Sequence, residues 1–137
     1  MTLNLTTLNK EKCNPSLISP LGLAFVGDAV FDLMVRKYYL KQANRPVKKL
    51  HNLVVKRVCA QAQAEAAGLI FPMLTDEEQA VFRRGRNAHT SHTPKNASVE
   101  DYHLSTAFEC LIGYLYLADN NQRIDELFDV IKNSWEE

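Results

Sequence analysis

No run in this 137-residue chain approaches the roughly 20 apolar residues of a membrane-spanning helix, so no membrane span is expected. The opening stretch MTLNLTTLNKEKCNP lacks a basic segment leading into an apolar one, which argues against a secretory signal. Cysteine is scarce. Cys13, Cys59 and Cys110 are odd in number, far apart and without CxxC spacing, which disfavours a disulfide framework and fits free thiols in a reducing cytoplasm. Strand-like alternation, internal repeats and low-complexity tracts are missing too. The composition, 46% hydrophobic and 23% charged, is that of an ordinary globular protein able to bury a core without staples.

Net charge is also absent, which at first argues against a polyanionic partner. The distribution reverses that argument. Arg36 to Arg57 holds eight Lys/Arg and no acid, and Arg83 to Lys95 holds four more, again with no acid. From Asp119 onward there are six acids and two bases. Segregation of this kind can give a neutral protein a basic face that attracts a polyanion, the alternative being charges that only solvate helix surfaces.

What the sequence has in abundance is helix signals, and the expected class is all-α with five to seven helices. Ser19-Pro20 reads as an N-cap followed by proline at the first helical position. That helix should run to about Lys41, with Leu21, Phe25, Leu33 and Leu40 among its apolar positions, and break at Asn44-Arg45-Pro46. Val47 to about Ala67 follows as one helix or two, with Gly68 as its C′ residue. Thr75 to Glu78 is a capping box opening a helix to Gly85 or slightly beyond. After the polar loop GRNAHTSHTPKNAS, Ser98 caps a strongly apolar helix to about Ala118. A last amphipathic helix carries Ile124, Leu127, Phe128 and Ile131 on one face.

Two carboxylates fit this pattern badly. LAFVGDAVFDLMV places Asp28 in an apolar helix, and in STAFECLIGYLYL Glu109 is the only acid. Each has a glycine close by, Gly27 and Gly113, and glycine lets another backbone approach closely. Helices packed at those glycines would bring the acids together, where like charges repel unless a cation lies between them. A hard cation with oxygen ligands, most often Mg²⁺, satisfies such a pair, and one of its waters can hydrolyse a phosphodiester. The alternative is that each acid caps a helix or pairs with an arginine.

AFVGDAVFDLMV resembles the signature of the ribonuclease III family, Glu-x-x-Glu-Phe-Leu-Gly-Asp-Ala-Val, and STAFECLIGYLYLAD resembles that family's second acidic motif. RRGRNA, residues 83 to 88, resembles the Gly-Arg-Asn stretch between them, and order and spacing agree from about residue 17 to 119. The sequence ends soon afterwards, with no room for the double-stranded-RNA-binding domain of standard members. A single catalytic domain over residues 1–137 is therefore expected, of the Mini-ribonuclease III branch.

The resemblance implies a cytoplasmic, homodimeric, Mg²⁺-dependent endoribonuclease that cuts double-stranded stems of structured RNA. Its products would carry 5′-phosphate and 3′-hydroxyl ends, and its task would be maturation of the 23S ribosomal RNA precursor. A ribosomal protein that presents the substrate is a further candidate partner. Asp28 and Glu109 match the family's catalytic, metal-binding acids. Its other acids fall on Ala24, Leu21 and Thr106, so half the usual cluster is missing, as in the Mini-III branch. Asp32, one turn after Asp28, is a candidate replacement ligand, and Asp101 a weaker one. Phe25 occupies the position whose ring crosses the family's dimer interface.

RNA affinity would then come from the catalytic domain, with Arg83, Arg84, Arg86 and Lys95 on phosphates and Asn87 and Asn96 as neutral donors. Lys48-Lys49 and Lys56-Arg57 could extend that surface. His89 and His92 have no further ligands nearby and do not make a zinc site, and His51 and His103 carry no pattern. Two other readings stay open. One is a catalytically silent ribonuclease III-like module that binds RNA within a ribosomal assembly, motivated by Ala24 and Thr106. The other, an all-α Mg²⁺ nucleotide pyrophosphohydrolase, would need more acids in the apolar helices than this chain has.

Overall fold

The computed structural model describes residues 13–88 and 97–135, and every described regular element is helical. A short 3-10 turn, Pro15–Leu17, leads into α1, Pro20–Gln42. Then come α2, Val47–Val58; α3, Ala60–Ile70; a second 3-10 turn, Phe71–Met73; α4, Asp76–Arg86; α5, Val99–Leu117; and α6, Asn121–Asn133. Six α-helices among the described residues agree with the all-α class expected.

The helix starts follow from their caps. Ser19 Oγ accepts from Gly22 N at 3.1 Å and Ser98 Oγ from Asp101 N at 3.0 Å. At α4 the capping box is reciprocal: Thr75 Oγ1 accepts from Glu78 N, and Glu78 Oε1 accepts from Thr75 N. Glu78 does more than cap. Arg123 of α6 donates to both of its oxygens at 2.9 Å and to Met73 O at 2.8 Å, fastening α6 to the start of α4.

One boundary left open by the sequence is resolved, and another differs from expectation. The region from Val47 is two helices, broken at Cys59, whose extended backbone (φ −69°, ψ 161°) separates α2 from α3. Gly68 does not end a helix; it lies within α3, exposed, with open space around it. Ile70, fully buried, draws the chain on for another half turn until Pro72 turns it.

α5 is the centre. Ser105 to Phe108 and Cys110 to Leu115 are all buried, and α1, α3 and α4 pack around it, as a helix apolar on all sides requires. Phe31 of α1 meets Phe108 edge to face at 4.9 Å. On α4, Gly85 lies against Cys110 and Ala107 so closely that a Cβ would stand 2.6 Å from Cys110 Cβ. The apolar residues of α1 serve two sides. Leu23, Phe31, Val35 and Tyr39 are buried, whereas Leu21, Phe25, Leu33 and Leu40 face outward, Phe25 at 82% exposure.

Candidate active site

α1 and α5 cross at their glycines. A Cβ built on Gly27 would lie 1.8 Å from Glu109 O, and one on Gly113 would lie 1.9 Å from Leu23 O, so only glycine allows the two backbones this contact. Asp28 follows Gly27 directly, and Glu109 stands one turn before Gly113. The crossing therefore brings the two acids together, and the Asp28 side chain hydrogen-bonds the Glu109 carboxyl.

Their surroundings differ. Asp28 is exposed on α1, whereas Glu109 is largely enclosed. Burial, followed by the negative charge of Asp28 and their shared hydrogen bond, pushes the Glu109 carboxyl up to about 8. One group opposes that rise: the side-chain amide of Gln63, on α3, lies near the carboxylate and favours its charged form. A proton or a cation is what stabilises such a pair.

The donor set suits a hard divalent cation held by two carboxylates, with water completing its shell. Among the described residues, no three His, Cys, Asp or Glu side chains converge. Asp32 pairs with Arg36 at 2.9 Å. Asp101 sits in the first turn of α5, two turns from Glu109. At the positions of the three absent family acids, Ala24 is buried, Leu21 faces outward, and Thr106 turns its hydroxyl to Tyr102 O at 3.0 Å.

The arginines cluster in the last turn of α4, beside the start of α1. Arg83, Arg84 and Asn87 line a shallow surface groove with Ser19, Pro20 and Leu21. Arg83 lies over the Phe71 ring, and Arg84 donates to Ile18 O at 3.4 Å. Arg86 stands 3.8 Å from Glu100, with both side chains open to solvent. Lys95, Asn96, His89 and His92 lie outside the described residues. Farther off, Lys48, Lys49 and Lys56 are exposed, but Arg57 belongs to the fold, donating to Tyr39 Oη and covering Trp135. His103 Nδ1 lies 3.0 Å from Arg86 O. The thiols are unpaired, and burial pushes Cys110 up to about 11, unfit for nucleophilic work.

Sequence reasoning missed Gln63. The alternation AQAQAEAA gives no sign that Gln61 is exposed while Gln63 is 1% exposed and reaches Glu109. Only its place on the inward face of an alanine-rich helix could have flagged it.

A helical fold built on two crossing helices, with one acid on each side of a glycine contact, is that of a ribonuclease III catalytic domain. Residues 21–120 match the family model described as the Ribonuclease III domain. The chain is 45% identical over 113 residues to a Mini-ribonuclease 3 of Thermoanaerobacter sp., covering 82% of this chain and 80% of that one. It is 40% identical over 121 residues to the Mini-ribonuclease 3 of Clostridium tetani, covering 88% and 80%. A crystal structure of a Fusobacterium nucleatum protein superposes with a TM-score of 0.78 at 32% identity, covering 85% of this chain and 93% of that one. The chain belongs to the ribonuclease III family, within its Mini-ribonuclease 3 branch, and is an endoribonuclease.

Proposed function

We propose that this protein cuts both strands of double-stranded RNA stems in a Mg²⁺-dependent reaction, as a homodimer, and that its substrate is the 23S ribosomal RNA precursor. The observation that carries the reading is the pairing of Asp28 with Glu109 across the Gly27–Gly113 contact. These two carboxylates would hold the cation. When bound, it supplies an acidified water and offsets charge that develops on the phosphate.

The chain's own residues account for the rest. Asp28, exposed, faces the incoming backbone, while Glu109 is held from behind by the protein. Arg83, Arg84, Arg86 and Asn87, with Lys95 and Asn96 farther along the sequence, bind phosphates and position the duplex without reading its sequence. The 82% exposure of Phe25 supports its placement in a dimer interface, beside the half-exposed Leu21 one turn away. A two-fold axis there matches the pseudo-symmetry of a duplex, so that two sites address two strands. No described helix is long and apolar enough to cross a membrane.

The test is cleavage of a structured 23S precursor with Mg²⁺ and with excess EDTA, by wild type, Asp28→Asn and Glu109→Gln. The expected result is discrete cuts on both strands of a stem, lost with EDTA and in both variants. RNA that is bound by wild type yet never cut, with candidate ribosomal proteins supplied, would instead establish a silent binding module.

A further inference from the structure

Gln63 is an expensive residue for its position. It is 1% exposed on a helix whose other inward residues include Ala64, Ala66, Ala67 and Ile70. Its Nε2 donates to Val58 O in the last turn of α2 at 3.2 Å. That bond fixes the amide's orientation, because only the nitrogen end can meet a carbonyl. The same amide lies near enough to the Glu109 carboxylate to favour its charged form. Its other end is left over: Oε1 is buried and has no partner. A leucine or methionine would fill the space with no stranded acceptor, and buried polar atoms in native proteins nearly always find one.

We infer that Gln63 is a positioning residue of the cation site, steadying the Glu109 carboxylate through its amide N–H and accepting, at Oε1, a hydrogen bond from water carried in by the cation. The inference rests on the reading of Asp28 and Glu109 as cation ligands. Hydration water on a divalent ion is a strong donor, and groups behind the direct ligands set both the orientation of those ligands and the affinity of the site. Through Val58 the glutamine also ties Glu109 to the junction of α2 and α3, so the carboxylate is braced by three helices.

The test uses the full chain, with Mn²⁺ binding followed by electron paramagnetic resonance and thermal unfolding measured in EDTA. Gln63→Leu and Gln63→Met are compared with wild type, with Ile70→Val on the same helix as a packing control. The expected result is an Mn²⁺ dissociation constant raised about tenfold in both Gln63 variants. Their unfolding midpoints in EDTA should equal or exceed that of wild type, because the stranded acceptor is gone. Ile70→Val should lower the midpoint and leave Mn²⁺ affinity alone. Mn²⁺ affinity unchanged in the Gln63 variants, or lowered equally in Ile70→Val, would overturn the positioning role while leaving the two-carboxylate site intact. Failure of wild type itself to bind Mn²⁺, or binding that survives in Asp28→Asn and Glu109→Gln, would overturn the cation reading and this inference with it.

Discussion

Gly27 on α1 and Gly113 on α5 bear directly on each other: a Cβ on Gly27 would reach within 2.8 Å of Gly113 N, and one on Gly113 within 3.1 Å of Gly27 N. No flexible side chain intervenes, so nothing there can give way. Gly27→Ala and Gly113→Ala should each destabilise the protein by about 3 kcal/mol or more, through forced separation of the helices. Urea unfolding measures the loss. Gly68→Ala is the counter-case: its Cβ meets nothing, and within the last turn of α3 it should gain about 0.5 kcal/mol.

The carboxyl of Glu109, raised to about 8, makes the metal-free protein pH-sensitive in a stated direction. The folded state binds a proton that the unfolded chain releases near its ordinary value of 4.5, so this contribution to stability falls as pH rises from about 4.5 to 8 and then levels off. In EDTA, Glu109→Gln should therefore gain on wild type in unfolding midpoint across that window, with little difference at pH 4. Added Mg²⁺ competes with the proton. The upward shift it gives wild type should be larger at pH 8 than at pH 6.

Glu78 behaves oppositely. Hydrogen bonds from Arg123 outweigh its burial and hold its carboxyl below the usual range. The contribution is present above the ordinary carboxylate value and is lost as pH falls through the lowered one. Glu78→Gln keeps a capping side chain but loses the charge, and should cost about 2 kcal/mol at pH 7, since charged hydrogen bonds are worth about 1.5–3 kcal/mol. Chemical denaturation at pH 7 and at pH 3 should show that cost shrinking in acid.

Asp119 is the one described non-glycine residue with positive φ, at 59°. It closes α5: Asp119 N donates to Tyr116 O and Asn120 N to Leu115 O, the paired bonds of a Schellman cap. A side chain there is strained, and its negative charge opposes the helix dipole. Asp119→Gly should raise stability by about 0.5 kcal/mol, a net of relieved strain and added chain entropy, and shift the thermal midpoint upward.

Phe25 gives the assembly prediction. Buried aromatic anchors of interfaces commonly cost about 2 kcal/mol or more when removed, so for the homodimer proposed above Phe25→Ala should raise the dissociation constant about 30-fold or more. Analytical ultracentrifugation reads it directly. The residue's 82% exposure in the single chain means that folding of the monomer should be little affected.

Local chemistry made much of this fold legible. Ser19, Thr75 and Ser98 announce their helices because a cap is a contact between residues three apart. The α1–α5 crossing was legible for a related reason: two acids, each beside a glycine, have few other uses in apolar helices. Gly68 misled because glycine ends a helix only when neighbours do not hold it, and the burial of Ile70 holds this one. Asp32 could equally have turned to Asp28 or to Arg36, and spacing of four residues allows both. Gln63 was out of reach of any local rule. Its partners lie at Val58 and, 46 positions along the chain, at Glu109, and only the packing of α3 on α5 brings that second contact about.

Contact between two main chains, with no side chain as spacer, also decides how the site can fail. The backbone positions that carry the two carboxylates are set by the separation of two helix axes, which cannot slacken while the core stands. Amide protons at Gly27 and Gly113 should thus exchange with solvent only when the whole molecule opens, and the site should have no partly formed intermediate. Assembly of the carboxylate pair and folding of the domain are then one cooperative event.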